Sequence, residues 1–318
     1  MLSRVADALY WMSRYLERAE HTARLLDVFQ HTLLDVTLPD DETHWEPLLA
    51  STGDLPPFRE AFPEGKGREA VHYMAFDPRN HGSILACVAS ARENARQVRE
   101  QISSEMWESL NGLYFQLRAA DLRRISEDEP HRYYHAVKSG SHLFQGITDA
   151  TLTHSEGWHF IQVGRYLERA PQTARLLDVQ YERLCAAAAG PQEYLEWVAL
   201  LKSCSGWEAY CKVHSAQITP QRVAGFLVLH PAFPRSIRFC AGSLQSSLRA
   251  ITAENGAHAA GVDRVIGRLV AALQYAQPEE LIAGGLRPYL QSVQQQCFAL
   301  HDELHKAYIR YSVEEMVL

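Results

Sequence analysis

The sequence contains no long hydrophobic run and no paired-cysteine motif. No apolar stretch approaches the roughly 20 residues that a membrane-spanning helix needs, and the N-terminal segment is amphipathic and charged, unlike a signal peptide. The six cysteines are scattered along the 318 residues without any C-x-x-C pair. These absences argue against a membrane partner and structural zinc, and they predict a reduced, cytoplasmic protein.

Nucleotide-binding and hydrolase motifs are also missing. The chain has no G-x-x-x-x-G-K-S/T, G-x-G-x-x-G or G-x-S-x-G sequence, and its nearest approach, EGKGRE at Glu64 to Glu69, lacks the phosphate-loop spacing. The net charge of -7 provides no basic field for nucleic acid. We therefore expect no nucleic-acid partner, no cofactor and no metal in this chain, and any ATP would be bound by another protein.

What the sequence does contain is helical periodicity. Apolar residues recur at steps of three and four, and β-type alternation is hard to find, so we predict an all-α fold. Hydrophobic residues make up 47% of the chain, enough for a sizeable core. Prolines and glycines interrupt the pattern from Pro39 to Gly67, which predicts a long loop with one short helix at His44 to Ala50. The first apolar stripe comprises Leu2, Val5, Leu9, Met12, Leu16, Ala19, Ala23 and Leu26.

One helical segment occurs twice. The segment RYLERAEHTARLLDV, Arg14 to Val28, returns as RYLERAPQTARLLDV, Arg165 to Val179, with only two differences. The similar segments Asp77 to Cys87 and His230 to Cys240 follow in the same order at nearly the same offset. These matches predict a tandemly duplicated helical bundle whose halves are related by a pseudo-twofold axis. The predicted repeats are residues 1–152 and 153–318.

The duplicated segment retains ionic side chains as well as apolar ones. A face that only meets solvent would vary as freely as Glu20 and Pro171, which share one repeat position. Three interpretations stay open: an Arg/Glu network packed between helices, a pocket where Arg binds a carboxylate or phosphate and Glu an amine, and an interface with another protein. Within its own helix, Glu17 is expected to lie between Arg14 and Arg24. The retained ionic residues are Arg14, Glu17, Arg18, Arg24, Asp27, Arg165, Glu168, Arg169, Arg175 and Asp178.

A second polar face is predicted in the first half, where Ala91 to Tyr114 looks like one helix. Its second-half counterpart, Ala241 to Ile251, has lost most of the charges, so the first-half helix is the better candidate for a binding face. A solvated or salt-bridged surface is the competing interpretation. The residues of the candidate face are Arg92, Glu93, Asn94, Arg96, Arg99, Trp107, Glu108 and Asn111.

Two histidine pairs have the i, i+4 spacing of helical metal ligands. In HDELH, His301 to His305, the acid beside the first histidine is Asp302, which is shorter than the glutamate of helical zinc sites, so we expect surface histidines. In HRYYH, His131 to His135, Asp128 or His142 would have to complete a site. Neither pattern is specific enough to predict a metal.

The chain resembles the bacterial alpha-E family of α-helical proteins with a Glu-Arg motif. The resemblance covers essentially the whole chain and is carried by the N-terminal MLSRVADALYWMSRYLERAEHTARLLDV, by DPRNHGSI, ARENARQVR and EMWESLN, and by GRYLERAPQTARLLDV. The resemblance implies that Glu17-Arg18 and Glu168-Arg169 are the motif.

The resemblance also implies a functional setting. It implies that the gene lies near genes for circularly permuted ATP-grasp carboxylate-amine ligases, transglutaminase-like proteins and NTN-hydrolase peptidases. We therefore expect a helical accessory protein in small-peptide synthesis or modification. It would bind the ligase or its substrate through the two helices that carry the Glu-Arg motif, which we call the ER helices.

Two alternatives stay open. One is an enzyme acting on an amino acid or peptide, with Glu17 or Glu93 as the base and Arg14, Arg18 or Arg96 as the carboxylate binder. The other is a scaffold whose polar face is sealed between the two halves.

Overall fold

The computed structural model describes residues 1–35, 45–120, 130–186, 191–255 and 259–309. All regular secondary structure in these ranges is helical, which confirms the predicted all-α fold. Within the same ranges, no helix combines the length and the apolar character needed to cross a bilayer. The helices are α1 (Ser3–Asp35), α2 (Glu46–Thr52), α3 (Leu55–Ala61), α4 (Gly67–Ala75), α5 (Ile84–Gln97), α6 (Ser104–Arg118), α7 (Pro130–Thr151), α8 (Glu156–Ala186), α9 (Pro191–Ser203), α10 (Trp207–His214), α11 (Pro220–Leu229), α12 (Ile237–Asn255), α13 (Ala260–Tyr275), α14 (Pro278–Ala283) and α15 (Leu286–Leu304).

The two long helices α1 and α8 carry the duplicated segments and pack against each other. Helix α1 also contacts α5 and α7, while α8 also contacts α12 and α15. The helices approach closely at Gly164, where a Cβ would collide with the backbone carbonyl oxygen of Tyr10 and lie 3.1 Å from the Cβ of Ser13. The absence of a side chain at Gly164 therefore brings the polar faces of α1 and α8 within hydrogen-bonding reach.

One continuous hydrophobic core contains residues from both predicted repeats. Leu16 and Leu26 of α1 belong to the same cluster as Leu167 and Leu177 of α8, and all four are nearly inaccessible to solvent. The predicted boundary at residues 152 and 153 falls in the short connection between α7 and α8. The two predicted halves therefore share a core. Their duplication and the pseudo-twofold axis stay a prediction.

The region from Pro39 to Gly67 contains more helix than predicted. Two short helices, α2 and α3, lie where one was expected, and residues 36–44 are outside the described part of the chain. Each of these helices has proline in its first turn, where the fixed backbone of proline and its missing N–H are tolerated. Gly53 joins the two helices with a φ of 85°, in the left-handed region that glycine adopts without strain.

The prediction of one helix from Ala91 to Tyr114 was wrong. Helix α5 ends at Gln97, a 3₁₀ turn follows at Arg99–Gln101, and α6 begins at Ser104. The hydroxyl of Ser103 accepts a hydrogen bond from the amide of Met106 at 3.1 Å, so Ser103 caps a new helix. The two helices pack against each other, which brings residues far apart in the sequence together.

Candidate functional site

Glu168 of α8 lies between two arginines of α1. Its Oε2 accepts a hydrogen bond from Arg14 Nε, and its Oε1 accepts one from Arg18 Nε, each at 2.7 Å. Only 5% of Glu168 is exposed. Both carboxylate oxygens are therefore engaged by guanidinium groups in a nearly dry environment, where charge-assisted hydrogen bonds are strong.

Glu17 of α1 makes the reciprocal contact with α8. Arg169 donates from Nε and Nη2 to the two carboxylate oxygens of Glu17, each at 2.7 Å, and Arg235 adds a contact at 3.2 Å. Glu17 is 1% exposed. The expectation that Arg14 and Arg24 flank Glu17 was wrong, because α1 turns Glu17 toward α8 and its partners come from other elements.

The electrostatics of these groups favour fixed charges over proton transfer. Burial opposes the ionisation of Glu168, but Arg14 and Arg18 outweigh it and lower its pKa to about 2. Burial likewise opposes the ionisation of Glu17, and Arg169 and Arg235 hold its pKa below the usual value. A general base works best with a pKa near the working pH. Neither carboxylate meets that requirement.

Glu20 and Arg235 extend the network although sequence reasoning did not select them. Glu20 is fully buried and accepts hydrogen bonds from Arg24 and Arg235, and His142 lies 3.5 Å away. Burial opposes the ionisation of Glu20, but the charge of Arg235, with His142 and Arg24, holds its pKa well below the usual value. Arg235 thus bridges Glu17 and Glu20. The difference between the two repeat copies at position 20 was the available signal.

Tyr10 and His301 form another unpredicted part of the network. Arg14 Nη1 donates to the Tyr10 hydroxyl at 2.8 Å, and that hydroxyl lies 2.7 Å from His301 Nδ1, within hydrogen-bonding distance. Burial and the nearby Arg14 lower the pKa of His301 to about 4, which keeps the ring neutral. The expectation of ordinary surface histidines in HDELH was wrong for His301. His305 packs against it with ring centroids 4.2 Å apart.

Asp27 belongs to a separate ion-pair cluster between α1 and α7. It accepts hydrogen bonds from Lys138 and from His131, the latter at 2.7 Å, and His31 lies 3.7 Å away. Asp27, His31 and His131 place three potential ligand atoms within 4.8 Å of one another, so they could hold a metal ion. The Lys138 ammonium on the same carboxylate opposes a cation, so the cluster fits an ion pair better.

The other residues considered as metal ligands together with His131 do not come together around it. His131 and His135 have ring centroids 6.0 Å apart, and His142 lies against Glu20 instead. Asp128 lies outside the described residues. No site of the kind considered from the sequence is formed by His131, His135 and His142.

The remaining second-copy residues have different surroundings from their first-copy counterparts. Asp178 pairs with Arg287 of α15 at 3.1 Å. Arg165 donates to Gln162 at 3.2 Å and to Gln145, and contacts no carboxylate within the described ranges. Burial and the charge of Arg169 lower the pKa of Arg165. These residues therefore join the helices without forming a second copy of each contact.

A cavity of about 280 Å³ opens beside Glu168, between α1, α8 and the turn after α2. Asp54 lies at this turn, and burial raises its pKa. Arg175 donates from Nη1 to the backbone carbonyl of Thr52 at 2.9 Å. Gly53 permits that reach, because a Cβ there would lie 2.9 Å from the same nitrogen. The cavity is lined by Arg14, Arg18, His21, Thr22, Ser51, Thr52, Asp54, Gly82, Glu168, Pro171, Gln172, Arg175 and Phe298.

The candidate face of the first half does not form a single cluster. Arg92 donates to Asn111 at 2.6 Å, with its guanidinium 4.9 Å from the ring centroid of Tyr114, and Arg99 lies 5.3 Å from the ring centroid of Trp107. We call Arg92, Arg99, Trp107, Tyr114 and Phe115 the α5–α6 face.

The remaining residues of the candidate face stand apart from that cluster. Glu93 and Arg96 form an exposed pair at 2.6 Å, and Asn94 donates to the Ser90 carbonyl at 2.8 Å. Glu108 is exposed. Asn94 is thus used within its own helix, and Glu93 is held by its neighbour.

The sequence profile of the Alpha-E family, described as a predicted alpha-helical domain with a conserved ER motif, matches residues 1–309. The chain belongs to the Alpha-E family. In this Alpha-E chain the two Glu-Arg dipeptides of the duplicated segment exchange partners: Glu17 binds Arg169, and Arg18 binds Glu168. The sequence resemblance identified the family, and it is the geometry that relates the two dipeptides to each other.

Curated relatives of the Alpha-E chain come from mycobacteria. An uncharacterized protein of Mycobacterium bovis is 26% identical over 321 residues, which cover 90% of this chain and 34% of the relative. An uncharacterized protein of Mycobacterium tuberculosis is 25% identical over the same shares of the two chains. The chain therefore spans about a third of the length of these relatives. No solved structure matches it significantly.

Proposed function

We propose that this Alpha-E chain is a non-catalytic partner of a circularly permuted ATP-grasp carboxylate-amine ligase in the synthesis or modification of a small peptide. The observation that carries the proposal is that Glu17 and Glu168 are buried and each held by two arginines. Carboxylates in this state organise helices instead of abstracting protons. The ER helices thus supply a rigid frame for binding the ligase or its substrate.

The α5–α6 face is the surface we assign to ligase docking. Arginine and aromatic side chains dominate the binding energy of many interfaces, and this face presents Phe115 with 51% of its surface exposed. The guanidinium of Arg92 lies 5.4 Å from the Phe115 ring centroid, so the side chain is held by a cation–π contact. A partly ordered aromatic loses little conformational entropy on binding.

The length of the mycobacterial relatives supports a partnership. The region similar to this chain occupies 34% of those proteins. In those relatives the similar region is covalently joined to a longer stretch of further chain, an arrangement that fits a unit acting together with another part of a protein.

The catalytic alternative has less support. Glu17 is enclosed by Arg169 and Arg235, and Glu93 forms a surface pair with Arg96. Neither Glu17 nor Glu93 lines the described cavity that contains Arg14 and Arg18. We therefore assign no proton-transfer step to these carboxylates.

The test is to reconstitute the ligase of the same organism with ATP and amino acids, with and without the Alpha-E chain. We expect a stable complex on size-exclusion chromatography and faster product formation by mass spectrometry. The Phe115→Ala variant should weaken the complex about tenfold. The matched control is Tyr275→Ala, because Tyr275 is another exposed aromatic, with 75% of its surface exposed.

Three results would contradict the proposal. The first is a ligase that reaches full activity alone and is unaffected by the Alpha-E chain. The second is equal weakening by Phe115→Ala and Tyr275→Ala, which would remove the α5–α6 face from the account. The third is binding to a transglutaminase-like protein or an NTN-hydrolase peptidase but not to the ligase.

A further inference from the structure

We call the ion pairs of Glu17 and Glu168 with their arginines the ER network. The residues beside Glu17, on one flank of this network, differ from the residues beside Glu168, on the other flank. On one flank, Arg235 donates to both Glu17 and Glu20. Glu20 is fully buried, and Arg235 is 7% exposed. The side chains of this flank therefore occupy the space beside Glu17 and neutralise one another.

On the other flank, smaller residues stand at the matching positions. In the alignment of the two repeat copies, Pro171 corresponds to Glu20, and Gly82 corresponds to Arg235. Pro171 and Gly82 both line the cavity of about 280 Å³. A proline ring and a glycine cannot fill the volume that a carboxylate and a guanidinium fill on the first flank. The cavity beside Glu168 is thus a consequence of where the two copies diverge.

Two polar atoms at this cavity have no protein partner among the described residues. His21 is 3% exposed, and its Nε2 has no hydrogen bond; Gln172 likewise has an unbonded, buried Oε1. The two residues occupy the same position of the repeat and line the same cavity. Buried polar groups in folded proteins are nearly always satisfied, so these two side chains keep hydrogen-bonding capacity for a polar occupant of the cavity.

Two of the charged residues that line the cavity, Arg175 and Asp54, do not pair with each other. Arg175 binds the Thr52 carbonyl and, at 3.4 Å, Gln294, and it makes no ion pair within the described ranges. Asp54 accepts from the Thr52 hydroxyl at 2.6 Å and likewise makes no ion pair there. Arg18 and Arg175 are close enough to act electrostatically on Asp54. This separation of opposite charges is complementary to a zwitterion.

We infer that the cavity is a binding site for a free α-amino acid, with its carboxylate toward Arg175 and Arg18 and its ammonium toward Asp54. The cavity volume of about 280 Å³ lies just below the usual range of ligand pockets, about 300 to 1,000 Å³, so the cavity suits a molecule as small as an amino acid. His21 and Gln172 complete the polar contacts. Phe298, half exposed at the cavity, adds an apolar surface. This inference deepens the proposed function by naming a substrate class, but the binding needs no ligase.

The experiment is calorimetric titration of the purified full chain with each of the twenty L-amino acids. We expect at least one to bind saturably with a stoichiometry of one. That amino acid should bind about tenfold or more tightly than its deaminated and decarboxylated analogues, because each analogue lacks one charge-assisted contact. For L-alanine, for example, the analogues are propionate and ethylamine. Binding of none at millimolar concentration, or equal binding of an analogue, overturns the inference.

Variants locate the site. The double variant G82R/P171E would fill the cavity with the residues found on the other flank, so binding should be lost while the thermal unfolding midpoint is retained. D54N and R175Q should each weaken binding about tenfold or more, and they decide the question if the double variant does not fold. R287Q, in an exposed pair with Asp178 away from the cavity, is the matched control.

If G82R/P171E, or both D54N and R175Q, bind the amino acid with wild-type affinity, the cavity is excluded as the binding site. Because these titrations contain only the Alpha-E chain, their failure leaves the proposed ligase complex untouched. Failure of the complex would in turn leave the amino-acid site standing.

Discussion

The carboxylate of Glu168 illustrates how single residues are constrained in this protein. It accepts hydrogen bonds from Arg14 and Arg18 at 2.7 Å, and these arginines together with burial set its environment. Buried ion pairs are not efficient stabilisers compared with apolar packing, but removing one partner leaves a charge stranded in a dry site. The residue is thus costly to change even though the pair contributes little net stability.

Replacing Glu168 with glutamine should therefore destabilise the fold. Arg14, which is buried, would lose its anionic partner, and we expect the free energy of unfolding to fall by about 3 to 5 kcal/mol. Urea unfolding monitored by circular dichroism measures the change. Glu93→Gln is the matched control, because the exposed Glu93–Arg96 pair is screened by water. Equal unfolding midpoints for the two variants would show that the buried pair is not special.

The buried His21 predicts how stability depends on pH. Burial, with the nearby charge of Arg235, lowers its pKa from 6.5 to about 4. Between these values the unfolded chain binds a proton that the folded chain does not, so stability is present above pH 6.5 and is lost as the pH falls toward 4.

His21→Gln, which introduces the residue found at position 172, should make this dependence shallower by up to about 1.4 kcal/mol per pH unit. Urea titrations at several pH values across this window measure the slope. His135→Gln, at an exposed histidine, is the control. A slope unchanged from that of the parent chain would contradict the assignment of a neutral, buried His21.

Some residues of the network could be predicted from the sequence and others could not. The repeat drew attention to Glu17 and Glu168 because both copies retain them. Glu20 and Arg235 are replaced by Pro171 and Gly82 in the other half, and their roles depend on which helices meet. That information lies in the tertiary packing and not in the spacing along the chain.

At the scale of helices, the closest approach of α1 and α8 sets the geometry of the ER pairs. Gly164 has no side chain where the Tyr10 carbonyl comes closest. A methyl group there would push the helices apart and lengthen the contacts between their ionic residues.

Gly164→Ala should therefore destabilise the protein by about 1 to 3 kcal/mol, as overpacking does. Gly146→Ala is the control, because Gly146 lies inside α7 and a Cβ added there would have no neighbouring atom within 4 Å. That substitution should stabilise by about 0.5 to 1 kcal/mol through helix propensity. Thermal unfolding of both variants gives the comparison, and a neutral or stabilising Gly164→Ala would refute the close contact.

Helical periodicity predicted the existence of elements better than their ends. The apolar steps continue from Ile84 to Leu117, yet the chain breaks between α5 and α6. Ser103 is the local cause, since its hydroxyl caps the second helix. A serine within a helical pattern is a weak signal, because the same residue is tolerated in helix interiors.

For the whole molecule, the shared core and the exchanged ion pairs join the two predicted repeats. Glu17 of the first binds Arg169 of the second, and Glu168 of the second binds Arg14 of the first. The all-α class followed from the periodicity of apolar residues, whereas the pairing of α1 with α8 required knowing which polar face meets which. The duplicated segment made that pairing one of the open interpretations.

Residues 1–152 and 153–318, produced separately, should each lack a cooperative unfolding transition. Each fragment would expose the apolar face of α1 or α8 and leave Glu17 or Glu168 without its arginine partners. Mixing the fragments should restore helical circular dichroism and one cooperative melt. A cooperative transition in either fragment alone would show that the repeats are independent domains.

The ER charges of the two long helices hold each other across a buried interface. A double-mutant cycle of Glu17→Gln and Arg169→Gln, measured by urea unfolding, tests this pairing. We expect a coupling free energy of about 2 to 3 kcal/mol, because the two residues share one buried bidentate contact. Additive effects, with a coupling below about 0.5 kcal/mol, would contradict it.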